Sequence, residues 1–301
     1  MSSASRFTKK SRILIVGCGD IGMRVAKHLM LKQGKAFQIF ALTSKKQRFA
    51  ELRAAGMKPI LGDLDQVDSL WRIASIASTV IHLAPPQNSG SHDQRTRNLI
   101  QILSQAPHSL RKLVYISTTG VYGDHQGGWV NETTPVQPLS DRAKRRVDAE
   151  QSVRLFGATQ GVSISILRVP GIYAADRLPL ERIRSQTPAV LASEDSYSNH
   201  IHADDLARLV CASMYFGKPQ RVINACDGGD LKMGDYFDLV ADNFKLQRVP
   251  RLPRKEVKEL VNPMLWSFMN ESRRISNQRL DELKTPLHYP SVLDFLKTIE
   301  R

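Results

Sequence analysis

The sequence predicts an α/β fold in which a doubly wound parallel sheet is joined to a small, mostly helical C-terminal lobe. Apolar runs of strand length alternate with helix-length segments through the first half of the chain. No hairpin turn signal separates them, so each strand should reach the next through a crossover helix and run parallel to it. After Gly228 helical segments dominate and are interrupted by prolines.

The order of the elements follows from their apolar spacing. Continuous apolar runs are typical of strands that are buried on both faces of a sheet, and apolar residues three and four apart are typical of helices. We expect a sheet domain from residues 10–170 and 199–227, and a smaller lobe from 171–198 and 228–301. The predicted strands are 13–16, 38–43, 57–61, 79–83, 112–117, 163–169 and 221–225, and the predicted helices are 21–31, 46–55, 66–77, 93–105, 141–156 and 204–215.

Composition and charge narrow the range of partners. The chain has 301 residues, of which 42% are hydrophobic, and a formal net charge of +14. Its basic residues form only small clusters without a nucleic-acid-binding motif, which favours a solvated basic surface over a nucleic-acid site. No apolar run reaches the ~20 residues that span a bilayer, and the polar N-terminus lacks the apolar core of a signal peptide. We therefore expect a cytoplasmic protein that binds neither nucleic acid nor membranes.

The sequence gives little sign of a metal site. The three cysteines are isolated and odd in number, which argues against a disulfide framework or a zinc site. His202 and Asp204 provide two ligands without a third, and Asp204 is better suited to cap a helix N-terminus. We expect no metal.

A glycine-rich turn, Gly17-Cys18-Gly19-Asp20-Ile21-Gly22, follows the first predicted strand and opens a helix. In this pattern the first glycine permits a tight bend, the second lets the backbone approach a pyrophosphate, and the third lets helix and strand pack closely. Free N–H groups and the helix dipole favour an anion at this helix N-terminus. In this context the turn indicates a Rossmann-type dinucleotide site; the alternative is an ordinary glycine-rich connection.

The residues after the second strand bear on the choice of cofactor. A carboxylate about 20 residues beyond the turn would favour NAD by accepting from the ribose hydroxyls. This chain instead has Thr43, Ser44, Lys45 and Lys46, whose hydroxyls and cations suit a 2′-phosphate. We expect NADP(H), with NAD(H) as the alternative if the lysines only solvate the start of a helix.

Several motifs in order resemble the extended short-chain dehydrogenase/reductase superfamily, in particular its NAD-dependent epimerase/dehydratase group. They are Gly62-Asp63-Leu64, His82-Leu83-Ala84-Pro85, and segments 115–123, 167–173 and 199–206. The resemblance implies that the aspartate of the first motif contacts the adenine and that the second lines the cofactor. The cofactor contacts implied in this way are Asp63, Leu64, Leu83, Ala84, Pro85, Ser117 and Arg146.

The resemblance also implies a catalytic hydroxyl on the fifth strand and a Tyr-x-x-x-Lys motif on the next helix, and here the chain departs from the family. Thr118 stands at the hydroxyl position. When the helix is aligned on Pro138 and Glu150, Arg142 takes the tyrosine position and Arg146 the lysine position. A guanidinium stays charged near neutral pH. We therefore expect Arg142 to stabilise negative charge rather than to exchange a proton, and Arg146 to hold the cofactor ribose or phosphate as a cation.

The missing phenol leaves the proton donor open. Tyr122 is the tyrosine nearest in sequence to the expected site, and Tyr173 and His200 are more distant candidates. The alternative for Tyr122 is a packing role with a satisfied hydroxyl.

The sequence alone leaves two possible functions open. The first is an NADP-linked oxidoreductase or epimerase, a monomer or homodimer that acts on a small carbonyl, alcohol or sugar-nucleotide substrate. The alternative is a non-catalytic dinucleotide-binding protein with a regulatory or redox-sensing role.

Overall fold

The computed structural model describes residues 10–33, 36–106 and 109–299, without the side chains of 32 and 33. The strands are β1 (Ser11–Val16), β2 (Phe37–Thr43), β3 (Lys58–Leu61), β4 (Thr79–His82), β5 (Lys112–Thr118), β6 (Trp129–Val130), β7 (Ser163–Val169), β8 (Gly171–Tyr173), β9 (Ala189–Val190), β10 (Tyr197–Ser198), β11 (His200–His202), β12 (Arg221–Asn224), β13 (Leu231–Lys232), β14 (Arg251–Leu252) and β15 (Arg274–Ile275). The helices are α1 (Asp20–Gln33), α2 (Phe49–Ala54), α3 (Gln94–Leu103), α4 (Asp141–Gln160), α5 (Leu180–Arg184), α6 (Ala203–Phe216), α7 (Met233–Asn243), α8 (Arg254–Leu260), α9 (Pro263–Met269) and α10 (Val292–Leu296).

The central sheet has seven strands in the order β12-β7-β5-β4-β1-β2-β3, and all of them run parallel. The chain builds outward from β1 through β2 and β3 and then crosses to β4 on the other side of β1. A reversal of this kind opens a crevice at the carboxyl ends of the strands, where ligands bind in such folds. The predicted Rossmann-type α/β fold is confirmed.

Apolar side chains cover both faces of the sheet. Val25 of α1 and Leu206 of α6 are buried on one face, and Leu99 of α3 and Val153 of α4 are buried on the other. Burying one such side chain contributes roughly 1.5–3 kcal/mol. The two layers therefore hold the carboxyl ends of the strands in a fixed arrangement.

The second lobe forms its own apolar cluster. Tyr173, Phe237, Val240 and Phe295 pack together there with residues from α5, α7 and α10. Short strand pairs complete it: β8 with β11, β10 with β13, and β9 with β14. The pairing of β6 with β15 ties the loop after β5 to this lobe.

Two local predictions are corrected by the structure. The predicted helix at 66–77 is instead a 3₁₀ segment, Val67–Ile73, because the Ser69 hydroxyl accepts from the Asp63 N–H at 2.8 Å and donates to the Gln66 carbonyl at 2.7 Å. Asp204 does not cap α6. The His202 ring caps it by accepting from the Asp204 N–H at 3.2 Å.

Candidate functional site

A narrow cleft of about 350 Å³ lies at the carboxyl ends of β1, β2 and β4. It brings together most of the residues that the sequence assigned to the cofactor. Its lining includes Gly17, Gly19, Thr43, Ser44, Lys45, Asp63, Leu64, Leu83, Ala84 and Pro85, together with Cys18, Arg48 and Arg95.

The three glycines of the turn have distinct environments. Gly17 has a φ of +92°, and a Cβ there would lie 2.4 Å from the Ala84 nitrogen. A Cβ on Gly19 would meet no atom within 4 Å, and one on Gly22 would lie 2.9 Å from the Gly17 carbonyl oxygen. The first and third glycines therefore permit tight packing, whereas the second leaves open space at the start of α1, as a pyrophosphate site requires.

The β2 side of the narrow cleft is polar and basic. The Thr43 hydroxyl accepts from the Lys45 N–H at 3.2 Å. Arg48 donates to the Cys18 carbonyl and pairs with both Glu51 oxygens at 2.9 and 2.7 Å, and this bonding raises the pKa of Arg48. Thr43, Lys45 and Arg48 thus stand together where the sequence indicated a 2′-phosphate site.

Arg95 of α3 is a cleft residue that the sequence analysis missed. It donates to both Asp65 oxygens at 2.7 and 2.6 Å, and these bonds raise its pKa. The Asp63 carboxylate accepts from the Asp65 N–H at 3.0 Å, which fixes the turn that faces the cleft. Arg95 follows no motif, and only its position at the start of a crossover helix could have indicated it.

Five expected cofactor residues do not line the narrow cleft, and one of them, Gly22, packs against the Gly17 carbonyl. Asp20 pairs with Arg24 at 2.9 Å and Arg177 at 3.0 Å, and Ile21 packs against the core. Ser117 is buried. Arg146 is also buried and donates to the Tyr115 hydroxyl at 3.0 Å and the Ile116 carbonyl at 2.9 Å. Arg146 therefore joins α4 to β5 instead of facing the cleft.

A wide cleft of about 1140 Å³ lies between the ends of β5 and β7, the start of α4 and the second lobe. Thr118 and Arg142, two of the expected catalytic residues, both line it. The Thr118 hydroxyl accepts from the Gly120 N–H at 3.2 Å. The Arg142 guanidinium lies 5.6 Å from the centre of the Phe268 ring, and burial together with the nearby Arg146 and Arg145 lowers its pKa.

Tyr122 does not reach this cleft. Its side chain is fully buried, its hydroxyl donates to the Asn224 side-chain oxygen at 2.7 Å, and the Arg168 guanidinium lies 4.8 Å from its ring centre. The expectation of a proton donor at Tyr122 is corrected, since this phenol packs in the core with its hydroxyl engaged.

Other titratable side chains do line the wide cleft, among them Tyr173, His200 and Tyr236. Burial raises the pKa of Tyr173 and lowers that of His200 to about 4. Burial also raises the pKa of Asp227, a buried residue outside the cleft lining, to about 7. No sequence motif pointed to Asp227. The arrangement places two phenols and an imidazole in the lining of the wide cleft.

No group of three or more His, Cys, Asp or Glu residues suited to a metal ion occurs in the part of the chain that the structure describes. Nor does any helix within residues 10–33, 36–106 and 109–299 have the length and apolar character needed to cross a membrane.

Residues 13–226 match the model of the NAD dependent epimerase/dehydratase family. The chain belongs to this family. Protein YeeZ of Escherichia coli K12 is 25% identical over 226 residues, which are 71% of this chain and 77% of that protein.

Solved structures share the fold along nearly the whole length of this family member. A functionally unknown conserved protein from Silicibacter pomeroyi is 26% identical with a TM-score of 0.80, and the match covers 96% of this chain and 97% of that one. The UDP-glucuronic acid 4-epimerase of Bacillus cereus, solved with NAD, has a TM-score of 0.74 at 17% identity and covers 95% and 94% of the two chains. The latter similarity establishes the fold alone.

Proposed function

We propose that this family member binds NADP(H) in the narrow cleft and acts as an oxidoreductase or epimerase in the wide cleft, on a small carbonyl, alcohol or sugar-nucleotide substrate. The observation that carries the proposal is the pair of glycines in the turn. Gly17 cannot carry a side chain, while Gly19 faces open space at the start of α1. We expect this protein to work in the cytoplasm as a monomer or homodimer.

The preference for NADP(H) is supported by the β2 side of the narrow cleft. Thr43, Lys45 and Arg48 line it, and a hydroxyl with two cations suits a phosphate monoester. Glu51, the nearby carboxylate, is engaged by Arg48. NAD(H) remains the alternative cofactor.

The bound nicotinamide would supply hydride transfer, and the protein would supply binding and charge. Thr118 would polarise a substrate oxygen, and Arg142 would stabilise negative charge that develops there. A guanidinium cannot exchange a proton near neutral pH. The proton would therefore be held at the Tyr173 hydroxyl or at the His200 ring, which also line the wide cleft.

A second candidate function is non-catalytic binding of the dinucleotide, with a regulatory or redox-sensing role. Two observations favour it. Arginines occupy the two positions aligned with the family's tyrosine and lysine, and Arg146 donates its hydrogen bonds to residues of β5. Thiol chemistry at the turn is disfavoured, because burial raises the pKa of Cys18 to about 12 and thereby suppresses its thiolate.

Thermal unfolding in the presence of NADPH, NADP, NADH and NAD tests the binding step. A ligand at a hundred times its Kd should add about 2.7 kcal/mol of stability. Arg48→Gln should weaken NADPH binding roughly tenfold and leave NADH binding unchanged, because only NADPH carries the 2′-phosphate. Arg53→Gln is the matched control, since Arg53 lies on α2 against Phe49 and outside the cleft.

Turnover requires a separate measurement. NADPH oxidation should be followed with a panel of small carbonyls, and UDP-sugars should be assayed for epimerisation. Cofactor binding without turnover across both panels would favour the second function. If none of the four dinucleotides shifted the unfolding temperature, both functions would be excluded.

A further inference from the structure

The first turn of α4 forms one wall of the wide cleft. Ser140, Arg142, Ala143 and Arg145 all line the cleft there, facing Thr118 of β5. The Ser140 side chain caps the helix by accepting from the Ala143 N–H at 3.2 Å. Since α4 is 20 residues long, its N-terminal N–H groups and dipole favour an anion at this wall.

Arg145 brings a second cation to this turn. Its side chain is only 6% exposed, and one terminal nitrogen donates to the Gly90 carbonyl at 2.6 Å. Its Nε has no hydrogen-bond partner among the residues that the structure describes, although buried polar groups are nearly always paired. Arg145 therefore adds a second guanidinium, held in place by the Gly90 carbonyl, to the cleft wall beside Arg142.

Arg142 completes a cationic surface that lacks its own counter-charge. Within the described residues it forms no ion pair, and its close neighbours are the Phe268 ring and the cations Arg145 and Arg146. Of the two carboxylates that line the wide cleft, Glu271 pairs with Arg273 at 2.6 Å, and Glu181 is not among the charges that act on the pKa of Arg142. An anion bound at the turn would offset repulsion that the protein itself leaves uncompensated.

We propose that Arg142, Arg145 and the first turn of α4 form a subsite for an oxyanion on the substrate, a carboxylate or a phosphate, beside the Thr118 hydroxyl. A guanidinium fork pairs with either group through two parallel hydrogen bonds. The identification of the anion as part of a substrate rests on the proposed function. Arg142, at the position aligned with the family's proton donor, would then bind the charged group of the substrate. The substrate class would be carbonyl or hydroxy compounds with an acidic group near the reacting carbon.

The subsite can be tested on the full chain by calorimetric titration at low ionic strength with inorganic phosphate and, in a parallel arm, with pyruvate. Saturable binding is expected. Arg142→Gln should weaken it at least roughly tenfold, because a hydrogen bond to a charged group is lost. Arg142→Lys should bind with intermediate affinity, since it keeps the charge but loses the planar fork.

The matched control is Lys144→Gln. It removes the same charge from the same helix, but Lys144 is exposed, pairs with Asp141 at 3.2 Å and does not line the cleft. Anion affinity should be unchanged in this variant. Equal losses in Lys144→Gln and Arg142→Gln, or no saturable binding of either probe, would overturn the subsite. Tighter binding of phosphate or of pyruvate would identify the group.

NADPH binding, measured in the same samples, separates this proposal from the proposed function. Anion binding that is lost in Arg142→Gln while the wild type fails to bind NADPH would support the subsite and exclude the NADP(H) function. NADPH binding without any anion binding would support the cofactor cleft and exclude the subsite.

Discussion

The narrow and the wide cleft differ in the part of the chain that shapes them. The narrow cleft is shaped by backbone, because Gly17 and Gly22 allow β1, α1 and the loop after β4 to approach within van der Waals contact. Buried charged side chains support the wall of the wide cleft. Arg146 of α4 donates to the Ile116 carbonyl of β5, and Arg168 of β7 pairs with Glu150 of α4. A methyl group added at one of these glycines should therefore disrupt the narrow cleft, whereas removal of one of these buried charges should disrupt the wide cleft.

The largest expected effect on stability is at the buried pair Arg168–Glu150. Each side chain is about 5% exposed, and the two bonds measure 3.0 and 2.7 Å. Glu150→Gln leaves the Arg168 charge buried without its partner, which should lower the free energy of unfolding by about 3–5 kcal/mol. Urea denaturation measures this loss.

The control on the same helix is Asp141→Asn, which breaks the exposed pair with Lys144 and should cost less than about 1 kcal/mol. Similar losses in the two variants would contradict the structural role that we assign to buried charge behind the wide cleft.

The next largest effect is expected at the turn of the narrow cleft. Gly17→Ala forces an L-residue to a φ of +92° and places its Cβ 2.4 Å from the Ala84 nitrogen. It should lower the free energy of unfolding by about 3 kcal/mol and abolish NADPH binding. Gly19→Ala meets open space, so it should weaken NADPH binding while the unfolding temperature of the ligand-free protein stays unchanged. A large loss of stability in Gly19→Ala would contradict this interpretation of the turn.

A smaller, pH-dependent effect is expected at Asp227. Burial raises its pKa in the folded state well above the ordinary value of an aspartate, to about 7. Below about pH 4 the carboxyl is protonated in both states; between about pH 4 and 7 only the unfolded chain releases its proton, so the free energy of unfolding falls as pH rises. Asp227→Asn should remove this decline. Parallel stability–pH curves for wild type and variant would show that Asp227 is not the group responsible.

The smallest effect is expected at Tyr122. Tyr122→Phe removes the 2.7 Å bond to Asn224 and should lower the free energy of unfolding by about 1 kcal/mol. Turnover of any substrate found in the panel should be unchanged. Thr118→Val, which removes a hydroxyl at the wide cleft, should lower kcat instead. A loss of kcat in Tyr122→Phe with normal stability would return Tyr122 to the catalytic candidates.

The lining of the narrow cleft was more predictable from sequence than that of the wide cleft. Gly17 could be assigned because a glycine-rich turn leaves a local signature in the sequence, and Asp63 and Ala84 because their motifs resemble those of the family. Tyr122, Arg146 and Asp20 were placed correctly along the chain but not in space. Their side chains are directed by partners that lie 102 residues away for Tyr122, 30 for Arg146 and 157 for Asp20, and no local pattern records such partners.

The sequence by itself determined the order of strands and helices, the parallel sheet and the position of the glycine-rich turn, because apolar periodicity and backbone freedom are local properties. Only the tertiary structure decided which charged side chains face a cleft. Arg142 and Arg146 are one helical turn apart on α4, yet the first lines the wide cleft and the second is buried against β5. Their surroundings come from β5 and the second lobe, which assemble only when the whole chain has folded.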